Sequence, residues 1–431
     1  MIHTNELSTM VSNEAFNEIL DTFDFTYLKN GCWSYTGLAE KGISLVRLYK
    51  IKRFSNVNTN EGKQVITEEA AYYYVVCVVV NTGMMYGDSK EHSNDILAFT
   101  PDFVKNIYEN VLDAIIPLKV FMQKYNIDIM NMFKNKRCDY CFDISRNHEQ
   151  YMELLSRGKR LNPNFYEYKI YDNELEEDEV DVEIDVDDKI EEIEYETNKD
   201  TLYYKGKSLN INIYRKDKEV KTSDSNQYDF LRIEVQAKKR KLLSLAKNKK
   251  IKSYYMESPA RQLQFMASDV VYREVMRYYL VKIAGEGNYV TKEFAFQLLD
   301  NTEQIKYDSK RKKIKELLET VEAYGNVDVV ISKVKKGEIT SLGSYKSVLR
   351  YIKQLEDLGI NPLLIPDDMI DSIEEVTLSH PDGTVIKTKM LLSLPALFDE
   401  YVKYLDRRKQ EDYEYSQEEI EAVISQTRDS R

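Results

Sequence analysis

Three short segments of the chain carry residue types suited to phosphoryl chemistry, and each alternates like a β-strand. They are residues 137–144 (RCDYCFDI), 209–216 (LNINIYRK) and 229–236 (DFLRIEVQ). Successive side chains of a strand point to opposite faces, so residues two apart share a face. Each segment then has an apolar face and a polar face. If the three strands share a sheet, the polar faces provide acids, a tyrosine and cations for metal-assisted phosphoryl transfer with a tyrosine nucleophile.

The carboxylates on these polar faces are candidate metal ligands. Asp139 and Asp143 lie on the first segment and Glu234 on the third. Oxygen donors suit a hard divalent cation, so Mg²⁺ or Mn²⁺ is the expected metal. The four histidines form no His-x-His pair, which leaves carboxylates as the expected ligands. The alternative is structural, with the acids facing solvent and one of them paired with Arg232 or Arg137.

Tyr214 is the predicted nucleophile because it shares the polar face of the second segment with Lys216. A lysine there could stabilise a phenolate or bind the scissile phosphate. The chain contains 33 tyrosines, so the position of Tyr214 singles it out and its residue type does not. Tyr203 and Tyr204, on the preceding arm of a predicted hairpin, are the alternative nucleophiles.

Two basic clusters are predicted to contact DNA phosphates together with Arg232. Residues 238–252 hold eight Lys or Arg, and residues 308–324 predict a helix with a strongly basic start. The cations chosen for this role are Lys238, Lys239, Arg240, Lys241, Lys310 and Arg311. A solvated helix face is the alternative for each cluster. The chain has no G-x-x-x-x-G-K-[ST] loop, so nothing indicates that it uses ATP.

The net charge of −12 comes from one segment. Residues 171–200 contain 16 acidic residues and two lysines, and the rest of the chain carries about two more basic than acidic residues. This balance leaves a nucleic-acid partner open. Self-repulsion favours a mobile insertion here, although the acid–aliphatic alternation at 180–188 could also form a strand.

The pattern predicts an α+β protein. Strand-like runs fill the first half after about twenty polar residues with a weak helical pattern, and helices fill the second half. We expect an antiparallel-sheet catalytic domain at residues 1–253 with its acidic insertion at 171–200, a helical domain that binds nucleic acid at 254–365, and a hairpin with a charged helical tail at 366–431.

The helical region is compatible with a helix-turn-helix or winged-helix module. Hairpins are expected near residues 327–339 and 376–388. The sequence has no run of about 18 apolar residues and no secretory signal pattern, and its four cysteines do not suggest a disulfide framework. A cytoplasmic location is therefore expected, with no membrane partner.

Taken in order, these motifs resemble those of rolling-circle replication initiators of plasmids and mobile elements. The resemblance is to the branch, including relaxases of conjugative elements, that uses acids in place of paired metal-binding histidines. It rests on an R-x-D-x-x-x-D strand at 137–143, a T-L-Y-x-K-G … I-Y-R-K hairpin at 201–216 and an R-I-E strand at 232–234. It covers roughly residues 95 to 250.

The resemblance implies Asp139 or Asp143 with Glu234 as metal ligands and Tyr214 as nucleophile. It also implies a site-specific nick in origin DNA that gives a 5′-phosphotyrosine and a free 3′-hydroxyl. The nick site would be single-stranded or in a cruciform or hairpin. A host helicase and polymerase would be partners, and a homodimer is left open. The runner-up is an origin-binding initiator or DNA-binding regulator without catalysis. A polymerase or primase with paired acids is the third alternative.

Overall fold

The computed structural model describes residues 2–58, 64–86, 101–157, 165–171, 201–206, 208–219, 229–246, 258–379 and 385–407. Residues 172–200 of the predicted acidic insertion and residues 247–252 of the basic run lie outside these ranges.

The chain forms two compact units, each assembled from three separate stretches. The first unit comprises Met1–Phe142, Tyr203–Asn212 and Ile233–Met276. The second unit comprises Asp143–Leu202, Ile213–Arg232 and Arg277–Arg431. The linear division at residues 253 and 365 stays a prediction.

Thirteen strands are described, and ten of them form one sheet. The strands are β1 (Ile2–Val11), β2 (Thr26–Tyr27), β3 (Cys32–Tyr35), β4 (Ile43–Asn58), β5 (Gln64–Asn81), β6 (Lys134–Ile144), β7 (Phe165–Tyr171), β8 (Thr201–Gly206), β9 (Leu209–Arg215), β10 (Leu231–Lys238), β11 (Tyr289–Val290), β12 (Glu375–Ser379) and β13 (Val385–Leu391). The order in the large sheet is β2-β3-β4-β5-β1-β6-β10-β9-β8-β7. Neighbouring strands from β2 to β6 pair antiparallel.

Fourteen described α-helices and a further helical run at residues 394–407 complete the α+β fold, and most of the described residues after β10 are helical. The helices are α1 (Asn13–Thr22), α2 (Thr82–Tyr86), α3 (Pro101–Ala114), α4 (Ile116–Lys124), α5 (Ile129–Met132), α6 (His148–Arg157), α7 (Lys216–Glu219), α8 (Lys239–Ala246), α9 (Pro259–Met266), α10 (Asp269–Ala284), α11 (Lys292–Asn301), α12 (Asp308–Tyr324), α13 (Val327–Lys336) and α14 (Tyr345–Asp357). The predicted fold class is confirmed. None of the described helices is long and apolar enough to cross a membrane.

The weak helical pattern noted over the first twenty residues predicts the wrong structure for residues 2–11. These residues form β1, which lies in the middle of the sheet between β5 and β6. Leu7 is fully buried, but so are Asn5 and Ser8, and buried polar residues conceal the alternation of a strand. The side-chain oxygen of Asn5 has a partner there, since its Oδ1 accepts a hydrogen bond from the Cys138 thiol at 3.2 Å.

The hairpin expected near residues 327–339 is also wrong, because this segment forms helix α13. Asn326 caps the helix by accepting hydrogen bonds from the backbone N–H groups of Asp328 and Val329. Gly337 ends it in the left-handed conformation, with a φ of 79°. The valines that suggested a strand fall at helical spacing, and three of them form the buried face of the helix, namely Val327, Val330 and Val334.

The second predicted hairpin is confirmed. Strand β12 pairs antiparallel with β13, with Val376 opposite Thr388. Strand β11 pairs with the other side of β13, which gives a small sheet in the order β11-β13-β12. The tip of the hairpin, at residues 380–384, lies outside the described ranges.

Candidate active site

In the first unit, the predicted ligand Asp139 lies on β6 opposite Thr4 of β1, and Arg137 lies opposite Glu6. The Thr4 hydroxyl donates to Asp139 Oδ2. Arg137 Nε approaches Asp139 Oδ1 to 2.9 Å as an ion pair, without the alignment of a hydrogen bond. A second carboxylate lies near Arg137, because Glu6 Oε2 is 3.8 Å from Arg137 Nη1. Thr4, Glu6, Arg137 and Asp139 therefore form a polar cluster between β1 and β6, in which Arg137 is the cation.

Burial sets the protonation behaviour of this cluster. Only 2% of Asp139 is exposed, and desolvation raises the pKa of its carboxyl to about 6. The positive charge of Arg137 lowers the pKa of Asp139, whereas the negative charge of Glu234 raises it further. Glu234 on β10 is itself buried. The structure thus brings Asp139 and Glu234 into one cluster, but it covers them, whereas the sequence placed them on a solvated surface.

The alternative nucleophiles differ from each other in their surroundings. Both lie on β8 in the first unit. The Tyr203 hydroxyl accepts a hydrogen bond from Asn210 Nδ2 at 2.7 Å, and the Tyr204 side chain is buried in the core. The bond to Tyr203 crosses from β9, the neighbouring strand. Tyr203 is thus the more accessible of the two.

The basic run that follows β10 is split between structural and exposed cations. Lys238 Nζ donates to the carbonyl oxygen of Gly206 at 3.4 Å. Lys239 and Arg240 are exposed at the start of α8. Lys241 is half-buried, and burial lowers the pKa of its ammonium group. Among the described residues of this run, Lys239 and Arg240 are therefore the cations best placed to meet a phosphate.

In the second unit, Arg232 holds the other predicted aspartate ligand in a bidentate pair. Arg232 Nε donates to Asp143 Oδ1 and Nη2 donates to Asp143 Oδ2, each at 2.7 Å. The side chains are 4% and 10% exposed, respectively. The guanidinium also lies 5.2 Å from the ring centre of Phe230. Two parallel charge-assisted hydrogen bonds in a buried place make this pair strong and specific in geometry.

Tyr214, the predicted nucleophile, is half-buried near the end of β9 and close to the cation chosen for it. Lys216 Nζ lies 5.6 Å from the centre of the Tyr214 ring. The backbone N–H of Lys216 donates to the carbonyl oxygen of Phe230 at 2.9 Å, which fixes the start of α7. Arg215, between the two residues, is bound on the opposite side by Asp217 at 2.9 Å and Glu149 at 2.8 Å. The second unit therefore places a phenol and an ammonium group together.

The predicted basic cluster on α12 is largely used for contacts inside the second unit. Arg311 Nη1 donates to Asp308 and its Nη2 donates to the carbonyl oxygen of Thr302, both at 2.8 Å. Lys310 is half-buried and no ion pair is described for it. Arg311, one of the residues predicted to bind DNA, therefore helps to hold α12 to the segment before it.

The predicted metal ligands have the right chemistry but not the arrangement of a ready-made site. Carboxylate oxygens suit Mg²⁺ or Mn²⁺. However, Arg232 occupies both oxygens of Asp143, and Arg137 lies against Asp139. Across the described ranges, no three His, Cys, Asp or Glu side chains are grouped so that they could hold a metal ion. The divalent cation therefore remains a prediction.

Sequence reasoning missed the contribution of β1 to the cluster around Asp139. Thr4 and Glu6 contact it, and both come from the segment that was expected to be weakly helical. A signal was present, because Thr4, Glu6 and Ser8 recur with the period of two that places side chains on one face of a strand.

Comparison with models of protein families and with curated proteins finds no match to this chain. The elements and their order define an α+β protein with a large, mainly antiparallel sheet and a helical second half.

Proposed function

We propose that this chain is a replication initiation protein that makes a site-specific single-strand nick in origin DNA by tyrosine transesterification. Tyr214 is the proposed nucleophile and Lys216 its electrostatic partner. The substrate is single-stranded origin DNA or an extruded hairpin. The order of the sequence motifs, which resembles that of rolling-circle initiators, favours this substrate.

The proposal rests on one observation, the contact between the Lys216 ammonium group and the Tyr214 ring in the second unit. Lys216 Nζ is 5.6 Å from the Tyr214 ring centre, and the Tyr214 side chain is only half-buried. A nucleophile must reach its substrate, and a nearby cation can stabilise negative charge that develops on the attacking oxygen and on the phosphate. Of the other two candidate tyrosines, Tyr204 is buried in the core.

The proposed reaction exchanges one phosphodiester for another. The Tyr214 oxygen attacks the scissile phosphorus, a bond forms between that oxygen and phosphorus, and the bond from phosphorus to the 3′-oxygen breaks. The phenol proton is lost and the departing 3′-oxygen gains one. The products are a 5′-phosphotyrosine and a free 3′-hydroxyl, which a polymerase could extend. Lys216 is proposed to bind the phosphate during the exchange.

Carboxylates remain in the proposal as candidate ligands for Mg²⁺ or Mn²⁺, either Asp139 with Glu234 in the first unit or Asp143 in the second unit. A bound divalent cation would polarise the scissile phosphate. Arg232 has a positioning role in the proposal, because its bidentate pair fixes the carboxylate of Asp143.

The test is a nicking assay on end-labelled single-stranded oligonucleotides that tile the replicon encoding this chain. With a different label on each end, the parent protein should convert one oligonucleotide to a shorter product that carries the 5′ label and a slower, protein-linked product that carries the 3′ label on a denaturing gel. Tyr214→Phe should abolish both products, whereas Tyr203→Phe, the matched control, should retain them. Equal cleavage by Tyr214→Phe and the parent would refute the assignment of the nucleophile.

A second candidate function is an origin-binding initiator or regulator without catalysis. The bidentate contact between Arg232 and Asp143 favours it, because an aspartate with both oxygens bound by an arginine fits a structural role. Such a protein would bind the same DNA but form no covalent adduct at any concentration of Mg²⁺ or Mn²⁺. The denaturing gel therefore separates the two functions.

A further inference from the structure

The outward face of helix α14 is a compact basic surface in the second unit. Val348, Ile352 and Leu355 form the buried side of the helix. The exposed positions on the opposite side are Tyr345, Lys346, Leu349, Arg350, Lys353 and Asp357. Three cations therefore recur at spacings of four and three residues, which places them in one row along the helix.

Helix α14 is held firmly by its surroundings. Ser344 caps it by accepting a hydrogen bond from the backbone N–H of Ser347 at 3.3 Å. Leu342, just before the cap, is fully buried. The helix packs against α12 and α13, the other two helices of this group. A row of cations on such a fixed helix loses little freedom when it binds a rigid ligand.

The cations of α14 differ from those of α12 in how they are used. On α12, Lys313 Nζ donates to the carbonyl oxygen of Ser341 at 2.7 Å, and Lys315 Nζ donates to Asp300 at 2.7 Å. These lysines connect elements of the fold. On α14, the Arg350 contact with Ser347 and the Lys353 contact with Asp357, at 3.3 Å and 3.0 Å, stay within the helix. Lys353 also interacts electrostatically with Glu286, which lies before β11, but no hydrogen bond or ion pair is described between an α14 cation and another element.

We infer that the outward face of α14 is the surface that binds duplex DNA, with Lys346, Arg350 and Lys353 on phosphates or base edges in the major groove. A helix of 13 residues is about 20 Å long, and the major groove, about 12 Å wide, admits an α-helix. Tyr345 and Leu349 add exposed apolar surface beside the cations, which suits sugars and thymine methyl groups. The inference rests on the proposed function for the choice of DNA as the polymer.

Binding is tested by fluorescence anisotropy on a labelled 24-base-pair duplex of mixed sequence, in EDTA so that cleavage is suppressed. The triple variant Lys346→Ala/Arg350→Ala/Lys353→Ala should bind about tenfold more weakly or worse in 0.1 M salt. The slope of log affinity against log salt should fall by about 0.9 for each phosphate that the variant no longer neutralises. The matched control, Lys306→Ala/Lys335→Ala/Lys336→Ala, removes the same charge at exposed positions outside α14 and should bind within about twofold of the parent.

Unchanged affinity of the α14 variant would overturn the inference. Equal weakening in both variants would also overturn it, because binding would then follow total charge. Thermal unfolding checks that both variants are folded. Failure of the proposed function would look different. If the parent protein binds the duplex through α14 but forms no covalent adduct, the inference about α14 holds and the proposed nicking activity is refuted.

Discussion

Arg232 clamps Asp143 with two hydrogen bonds of 2.7 Å in a nearly buried part of the second unit. Arg232→Ala should destabilise the protein by about 3–5 kcal/mol, because it leaves a carboxylate buried without its counter-charge. The change in urea midpoint at pH 7 measures this. The double variant Arg232→Met/Asp143→Leu should recover much of the stability, since it removes both charges.

A more exposed pair serves as the control. Arg277 and Asp399 lie 3.2 Å apart, with side chains that are 48% and 43% exposed. Arg277→Ala should cost about 1 kcal/mol or less, because solvent screens exposed pairs. Equal costs for Arg232→Ala and Arg277→Ala would contradict a structural role for the buried clamp.

Strand β1 should be essential to the large sheet, because it lies between β5 and β6. Leu7 is fully buried, whereas Met10 on the same strand is 53% exposed. Leu7→Ala should destabilise by about 2–5 kcal/mol, because it removes buried apolar surface and leaves a cavity. Met10→Ala should change stability by about 0.5 kcal/mol or less. Denaturant unfolding compares the two, and similar values would argue against the central position of β1.

Asp139 should make stability depend on pH. Burial raises its pKa from 3.8 to about 6, so the folded chain binds this proton more tightly than the unfolded chain. Between about pH 4 and pH 6 the unfolded state then holds fewer protons, and stability falls as pH rises. A shift of about two units corresponds to a decrease of about 3 kcal/mol across that window.

The variant Asp139→Asn isolates this effect, because all other titrating groups are shared with the parent. The difference in unfolding free energy, parent minus variant, should fall by about 3 kcal/mol from pH 4 to pH 7 and level off above that. A difference that stays constant with pH would show that the carboxyl titrates alike in the folded and unfolded chains.

Much of the architecture could be predicted from local patterns. Strand β6 carries alternating residues over most of its length, and α14 has a serine cap, a helical apolar period and a following Gly359 in the left-handed conformation. Local signals of this kind are sufficient to predict an element, because the residues that produce them lie within that element or next to its ends. Segment 327–336 shows their limit, since its valines favour a strand while the Asn326 cap and the helical spacing of the buried valines decide for a helix.

The candidate site was harder to predict, because its properties depend on neighbours far apart in the sequence. The alternation of residues placed Asp139 and Glu234 on polar faces, and the structural alternative named Arg137 and Arg232 as partners for an acid. Neither indicated the contact from Thr4 or the burial that raises the pKa of Asp139. The bidentate contact of Arg232 with Asp143 spans 89 residues of sequence. Such partners follow from register and layer packing, which a single sequence does not specify.

The most direct measurement of the nicking proposal is the mass of the peptide that carries the covalent link to DNA. Trypsin releases Tyr214 in the peptide SLNINIYR and releases Tyr203 with Tyr204 in DTLYYK, so the candidates separate. After reaction with origin DNA and nuclease digestion, we expect a nucleotide adduct on SLNINIYR that is absent from Tyr214→Phe. An adduct on DTLYYK would move the nucleophile to Tyr203 or Tyr204, and no adduct on any peptide would contradict nicking by tyrosine transesterification.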